Sequence, residues 1–193
     1  MTNPTVATPP TVTPVTISEA KAHLRVDIDD DDALILSLIK AATAHCERIA
    51  RRSFVTQTLD LTLDYWPAAS GFYLPRPPIQ SVTSITYTDE DGNSDTVSSS
   101  DYIVDTARGK IALKASATWP AVTLQRMAGV VIRYVAGYGA AAAVPADFKQ
   151  AVLLVTGDWY ENRENMIVGT IQSSIEFSVK ALLFSARAFP IEQ

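Results

Sequence analysis

The segment VPADFKQAVLLVTGDWYENRE, residues 144–164, sets the architecture of this chain. Pro145 suits the first turn of a helix, where its missing N–H would have no partner. Asp147 follows in that turn, where a negative charge meets the positive end of the helix dipole. Apolar residues then recur at spacings of three and four, as in an amphipathic helix with a broad buried face; they are Phe148, Ala151, Val152, Leu154, Val155 and Trp159. We therefore predict a central helix over residues 145–164.

The composition is that of a globular chain: of 193 residues, 47% are hydrophobic and 19% are charged. A chain of this length can bury about 70% of its unfolded surface, so its core needs no disulfide or metal. Sixteen basic and 21 acidic side chains give a net charge of −5. Nucleic-acid binders usually show a basic face, so the charge argues against tight binding of DNA.

Cellular location is indicated by three further features. Cys46 is the single cysteine, which excludes an intrachain disulfide and favours a reducing compartment. The chain contains no run of about 18 apolar residues that could span a membrane. Its N-terminus lacks the basic and apolar blocks of a signal peptide. We expect a protein that is made and assembled in a cytoplasm.

Residues 1–14 are rich in proline, threonine and valine and carry no charged side chain. Such a composition favours extended, polyproline-like conformations and cannot close a core. We predict an extended N-terminal arm, which either stays unordered or orders only against a neighbouring subunit.

Two helices are predicted next. Thr16 and Glu19 fit a capping box at the start of a short helix that ends near Val26. Residues 27–32 carry five aspartates, which suit the N-terminus of a long helix over residues 30–52 with one aspartate as its N-cap. The apolar positions that mark the buried face of this long helix are Leu34, Ile35, Leu38, Ile39, Ala42, Cys46 and Ile49.

After residue 54 the period of the pattern changes from helical to alternating. Residues 57–66 alternate with period two, which indicates a half-buried strand. An Asp-Gly turn lies within residues 89–93. Further strands are predicted at residues 82–88, 102–104, 110–113 and 130–135, and a last short helix at residues 176–187.

The pattern as a whole predicts an α+β fold, in which a small antiparallel β-module is inserted into a helical core of three to four helices. The expected segments are an extended arm at residues 1–14, the first part of the helical core at 15–53, the β-module at 54–136, and the second part of the core with a C-terminal docking segment at 137–193.

No plausible active site emerges from the reactive side chains. An EF-hand frame started at either Asp27 or Asp29 lacks the required glycine and glutamate, so helix capping explains the aspartates better than a cation site. His45 and Cys46 are adjacent on a helix and point about 100° apart, which disfavours a shared metal. Cys46 also falls on the apolar face, where a thiol is inert. We expect no catalytic residue, no metal and no cofactor.

Two further motifs have competing interpretations. Gly137-Tyr138-Gly139 resembles part of a dinucleotide loop but lacks the third glycine and the parallel βαβ context, so a turn is the better interpretation. Trp159 and Tyr160 are either core residues or, together with Arg163, an inter-subunit contact, since Trp, Tyr and Arg are enriched at interfaces.

Three blocks of sequence together resemble one family. They are VTISEAKAHLRVDIDDDD at residues 15–32, LPRPPIQSVTSI at residues 74–85, and residues 134–164, in which YVAGYG is followed by VP and KQAVLLVTGDWYENRE. Their order and spacing are similar to those of the head–tail connector (adaptor) family of long-tailed bacteriophages and phage-derived gene transfer agents. The resemblance covers about residues 15–189, and none of the blocks is a catalytic signature.

This resemblance implies a structural virion protein that is not an enzyme. It implies a homo-oligomeric ring, commonly of twelve copies, between the portal and the tail-proximal stopper, at the head–tail interface of a particle assembled in the bacterial host cytoplasm. It also implies that DNA passes through the lumen without sequence-specific binding, and that the C-terminal segment docks on the portal. The portal-facing candidates in that segment are Phe184, Arg187, Phe189 and Ile191.

Two alternatives remain open from the sequence. The protein is another neck component, such as a stopper or a tail-completion protein, which a β-dominated chain would favour. Less favoured is a small enzyme that uses the β-module as a substrate pocket, which would need a convergent set of titratable groups.

Overall fold

The computed structural model describes residues 3–68, 70–162 and 172–184. They form two compact units. We call residues 11–55 and 138–184 the helical unit, and residues 3–10 and 56–137 the sheet unit. Helices and antiparallel sheets thus fall into separate parts of the chain, and the predicted α+β fold is confirmed.

Four α-helices lie in the described residues of the helical unit. They are α1 (Ile17–Leu24), α2 (Asp32–Ala50), α3 (Ala146–Glu161) and α4 (Gln172–Phe184), with a short 3-10 turn at Ala141–Ala143. α2 and α4 both pack against α3, so the predicted central helix lies in the middle of the unit. The ring of Phe148 on α3 stacks on that of Phe54, with centroids 4.7 Å apart. The fully buried side chains around this pair include Val15, Ala20, Ile35, Ile39, Ala42, Cys46, Ala151, Val152 and Leu183.

The capping box at the start of α1 is confirmed. The backbone N–H of Glu19 donates to the Thr16 hydroxyl at 3.1 Å, and the Glu19 carboxylate accepts the Thr16 backbone N–H at 2.7 Å. These two bonds satisfy amides that a helix N-terminus leaves without partners. The pKa of the Glu19 carboxyl is lowered chiefly by the hydrogen bond from the Thr16 backbone N–H, and also by one from the Thr16 hydroxyl at 2.9 Å.

The predicted aspartate cap of α2 is wrong in one respect. Asp31 occupies the N-cap position, but its side chain makes no capping hydrogen bond. The Asp31 carboxylate instead accepts a hydrogen bond from the Tyr160 hydroxyl at 2.5 Å. Its backbone, with φ −97° and ψ 6°, also lies outside the extended region that capping residues normally adopt.

Three predicted helices have different boundaries in the structure. α2 ends at Ala50 and not at residue 52, because Arg51 adopts a left-handed conformation and its N–H bonds the Glu47 carbonyl. α3 begins at Ala146, with Pro145 as the residue before it, and Asn162 follows its last residue. α4 begins at Gln172, four residues earlier than predicted, and residues 185–187 lie outside the described residues.

Glu47 is a buried acidic residue that the helical pattern did not reveal. It is only 8% exposed, and its carboxylate accepts the backbone N–H of Phe54 at 2.7 Å. Phe54 is itself fully buried, so this amide has no access to water. Glu47 therefore fixes the chain where it leaves α2.

We expect Glu47→Ala to lower the free energy of unfolding by about 1–3 kcal/mol, because the buried Phe54 amide loses its acceptor. Glu47→Gln keeps a carbonyl oxygen at the same place, so its free energy of unfolding should fall clearly less. Urea unfolding of both variants measures the difference. Equal losses for the two variants would show that the charge, and not the hydrogen bond, is what stabilises this junction.

The sheet unit contains two antiparallel sheets. The eight strands are β1 (Thr5–Thr8), β2 (Gln57–Leu63), β3 (Phe72–Tyr73), β4 (Ile79–Thr88), β5 (Ser94–Thr96), β6 (Tyr102–Asp105), β7 (Lys110–Leu113) and β8 (Val130–Ala136). The larger sheet has the order β1-β2-β8-β4-β5, and the smaller has the order β3-β7-β6. The predicted antiparallel module is thus two sheets.

The two sheets share one core, which is formed by the buried side chains that alternate with more exposed ones along the strands. β2 buries Leu59 and Leu61, and β8 buries every second residue from Val130 to Ala136. Side chains from both sheets form this core, among them Phe72, Leu74, Ile85, Ile111, Ile132 and Tyr134. β4 is longer than predicted, and two register shifts interrupt its alternation, so its N-terminal half does not show a regular period.

β1 lies within the segment that we expected to be unordered or to order only against another subunit. In the structure it pairs with β2 of the same chain. The reason is long-range: Val6 is opposite Leu59, a partner more than fifty residues away that no local pattern indicates.

Candidate assembly surfaces

The C-terminal end of α3 carries the aromatic pair predicted as core or as an inter-subunit contact. Trp159 and Tyr160 are both half-buried and pack against the helical core. The indole ring of Trp159 meets the ring of His45 edge-on at 5.7 Å, and the Tyr160 hydroxyl binds Asp31. Much of each side chain is thus used within the chain, and only the remainder can face a neighbour. Arg163, predicted to join them, lies outside the described residues.

Asp29 and Asp32, at the start of α2, are bound by a lysine of α1. The Lys21 ammonium on α1 pairs with Asp29 and, at 2.9 Å, with Asp32. The hydrogen bond to Asp29 is the main reason why the pKa of Lys21 is raised, and the same bond lowers the pKa of the Asp29 carboxyl. The residues are therefore part of an ion-pair network between α1 and α2.

α4 carries the one portal-contact candidate that the structure describes. Val179 and Leu183 are buried in the helical core, whereas Phe184 is 46% exposed at the end of the helix. α4 is thus anchored on one face and presents an aromatic side chain on another. The remaining candidates, Arg187, Phe189 and Ile191, lie outside the described residues.

Tyr65 and Met127 are the most exposed large hydrophobic side chains of the sheet unit, and neither was predicted from the sequence. Tyr65 is 76% exposed and Met127 is 78% exposed. Their loops are tied together, because the Asp64 carboxylate accepts the backbone N–H of Ala128 at 2.9 Å. Tyr and Met are enriched at protein interfaces. An apolar residue inside a turn-rich segment was the available signal, but a single such residue is common on protein surfaces.

A rigid aromatic cluster lies beside these loops. The rings of Trp66 and Trp119 stack with centroids 5.0 Å apart and 9° between their planes. The Trp119 indole N–H donates to the Pro67 carbonyl at 2.8 Å. Tyr87 completes the cluster at 5.3 Å from Trp66. Trp66 directly follows Tyr65 in the chain, so the cluster supports the backbone that carries the exposed Tyr65 side chain.

The reactive residues occupy inert positions. Cys46 is fully buried, and burial raises the pKa of its thiol to about 12, which fits the predicted core role.

Gly137 and Gly139 have φ of 127° and 124°, as a turn requires, and β8 before them is antiparallel to its neighbours. Across residues 3–68, 70–162 and 172–184, no His, Cys, Asp and Glu side chains group as metal ligands.

No helix in the described parts of the chain is long and apolar enough to cross a bilayer.

Three solved chains with a similar fold come from gene transfer agent particles. A chain of the structure titled "Virion of native gene transfer agent (GTA) particle" is 27% identical, with a TM-score of 0.80, and the match covers 98% of this chain and 97% of that one. A chain from "Neck of empty GTA particle computed with C6 symmetry" is 29% identical, with a TM-score of 0.77 and coverages of 100% and 97%. A chain from "Neck of native GTA particle computed with C12 symmetry" is 28% identical, with a TM-score of 0.76 and the same coverages.

No curated protein sequence matches this chain. The family model described as "Head completion protein" matches residues 14–181. Together with the gene transfer agent chains, this match confirms the resemblance to head–tail connectors that the three sequence blocks suggested. Since the matched residues make up most of the chain, this protein belongs to the head completion protein family.

Proposed function

We propose that this protein is a structural component of a virion neck, where it forms the connector ring between the portal and the tail-proximal stopper. The observation that carries the proposal is the match over the whole chain to a neck chain, at 28% identity and a TM-score of 0.76. Because the match includes both the helical and the sheet unit, the likeness extends beyond a shared helical core.

The copy number is part of the proposal. The titles of the similar neck structures name six-fold and twelve-fold symmetry, which are the symmetries of rings. We propose twelve copies of this chain. A ring of identical copies needs a head-to-tail interface, in which one surface of each copy meets a different surface of the next. The half-buried end of α3, with Trp159 and Tyr160, is our candidate for one of these surfaces.

The chemistry of the chain is consistent with a conduit for DNA. Tight binding of DNA depends on contacts from lysine and arginine to phosphates, whereas this chain has a net charge of −5. We infer that DNA passes through the lumen without being held. In the described residues the only cysteine thiol is buried and inert, which gives no support to a catalytic role.

Portal docking is assigned to the C-terminal segment. α4 is anchored in the helical core by Val179 and Leu183, so the chain that follows it starts from a firm support. Phe184 is exposed at this point. We propose Phe184, Arg187, Phe189 and Ile191 as portal contacts, and Tyr65 and Met127 of the sheet unit as candidates for contact with the next neck protein.

The order of assembly tests the connector role against the stopper role. Purified protein is mixed with capsids whose portal vertex is open and which carry no other neck protein, and the mixture is sedimented. A connector should co-sediment with these capsids. A stopper should bind only after a connector has been added, so binding that depends on another neck protein would assign this chain to that role instead. Capsids that lack the portal are the control and should bind nothing.

A further inference from the structure

β1 is bound to the sheet by its backbone and one hydroxyl group. All four of its side chains are exposed, including Val6 at 47%. Thr5, Val6 and Thr8 pair with residues of β2, and the Thr5 hydroxyl donates to the Asp60 carbonyl at 3.4 Å. Backbone pairing does not depend on which chain supplies the strand. These contacts therefore fit β2 of a second copy as well as β2 of the same chain.

β2 is held in the sheet without β1, so it can pair with a strand from another copy. On its other side, all seven residues from Gln57 to Leu63 are in register with β8. A salt bridge also joins the two strands, since both oxygens of Asp60 accept from Arg133 at 2.8 Å. Departure of β1 would leave a regular seven-residue strand with unpaired N–H and C=O groups at the sheet edge, which is a template for another strand.

The linker between β1 and the helical unit is mostly exposed and bends at residues 11–12. Residues 9–13 have the sequence PPTVT, and Val12 is 51% exposed. The chain becomes buried at Pro14 and Val15. Adjacent prolines restrict the backbone to extended conformations of about 3.1 Å per residue, so the five linker residues can span about 15 Å. That reach allows the strand to leave its own sheet without disturbing the helical core.

We propose that, in the assembled ring, β1 of each copy (residues 5–8) pairs with β2 of the adjacent copy, and that the intrachain pairing in this structure is the state before assembly. The proposal rests on the proposed ring. Exchange of an identical strand keeps every β1–β2 contact, so it costs little, and a ring in which each copy donates one arm and accepts one leaves no β2 edge unpaired. Before assembly, the chain's own arm covers the edge of β2 and blocks unwanted pairing.

A cysteine pair at the opposite residues Thr8 and Thr58 reports which β2 each arm contacts. Residues directly opposite each other on antiparallel strands are close enough for a disulfide. The variant Thr8→Cys/Thr58→Cys is assembled on open-portal capsids under reducing conditions, oxidised, and run on a non-reducing denaturing gel. Arm exchange predicts a ladder of covalent oligomers that extends to the full ring, whereas the free protein should give monomers. Cys46 is buried and does not compete.

The matched control is Thr86→Cys/Thr96→Cys, which joins β4 to β5 at the other edge of the same sheet. The hairpin connection between β4 and β5 is short, so this pair should give only intrachain disulfides in both states. A second measurement oxidises the Thr8/Thr58 variant before assembly. The locked arm should then reduce ring formation at least tenfold, and reduction should restore it.

The outcomes separate this inference from the function it rests on. Rings that form normally but contain only intrachain Thr8–Thr58 disulfides would overturn arm exchange and leave the ring intact. Normal assembly of the pre-oxidised variant would overturn it as well. If the wild-type protein forms no ring on the capsids, the proposed function is wrong and arm exchange is rejected with it.

Discussion

Replacing Phe148 with alanine is expected to lower the free energy of unfolding of the helical unit by about 3–5 kcal/mol. Phe148 is fully buried, its ring stacks on Phe54 at 4.7 Å, and Tyr138 lies 5.8 Å away. Truncation removes the transfer free energy of the ring and also leaves a cavity in the middle of a close-packed unit. Helical backbones on both sides limit how far the neighbours can collapse into it.

Urea unfolding followed by far-ultraviolet circular dichroism measures this effect. The two units can unfold separately, so the helical signal near 222 nm is the appropriate observable. Tyr65→Ala is the control, because Tyr65 is also aromatic but is 76% exposed, and we expect it to change stability by no more than about 0.5 kcal/mol. A loss below about 1 kcal/mol for Phe148→Ala would contradict the assignment of α3 as the centre of the unit.

Deletion of residues 188–193 is expected to abolish docking on the portal and leave the fold intact. The described core of the helical unit already includes Val179 and Leu183 of α4, and we expect this core to keep the unit folded. The proposed contacts Phe189 and Ile191 would be lost together, and loss of two apolar anchors from one interface commonly costs several kcal/mol of binding energy. The yield of capsids joined to tails should therefore fall at least a hundredfold.

The measurement compares head–tail joining and thermal unfolding for the same preparation. A protein that lacks residues 1–4, which precede β1, is the control truncation and should join heads to tails at normal yield. If the C-terminal truncation also joins them at normal yield, C-terminal docking is wrong. An unfolding midpoint more than a few degrees lower would instead show that these residues stabilise the fold.

Features with local causes could be predicted from the sequence. The capping box depends on Thr16 and Glu19, three residues apart, and both of its hydrogen bonds are present. The apolar period of α3 marked Phe148 and Val152 as buried, which they are. The alternation in β2 likewise predicted its buried residues, because hairpin-type sheets with one covered face bury every second side chain.

Features with long-range causes could not be predicted. The pairing of β1 depends on β2, which is fifty residues away, and a four-residue strand with exposed side chains has no hydrophobic pattern of its own. From the sequence, Glu47 is expected to be a solvent-exposed helix residue. Only its contact with Phe54 in the folded chain shows why it is buried. Asp31 was predicted to cap α2, but its contact with Tyr160 comes from a helix more than a hundred residues later in the chain.

The candidate surfaces also divide into residues that could be predicted from the sequence and residues that could not. Sequence reasoning identified Trp159, Tyr160 and Phe184 as interface candidates from residue type and from the family resemblance, and the structure leaves part of each accessible. It missed Tyr65 and Met127, because two loops over sixty residues apart are tied together only in the folded sheet unit. Their assignment to a partner remains a proposal.

Cryo-electron microscopy of open-portal capsids incubated with the purified protein tests the central claim most directly. We predict a ring of twelve copies seated below the portal, in which each copy shows both the helical and the sheet unit and DNA has an open path through the centre. A protein that stays a monomer or dimer, with capsids that carry no added density at the portal vertex, would contradict the connector assignment.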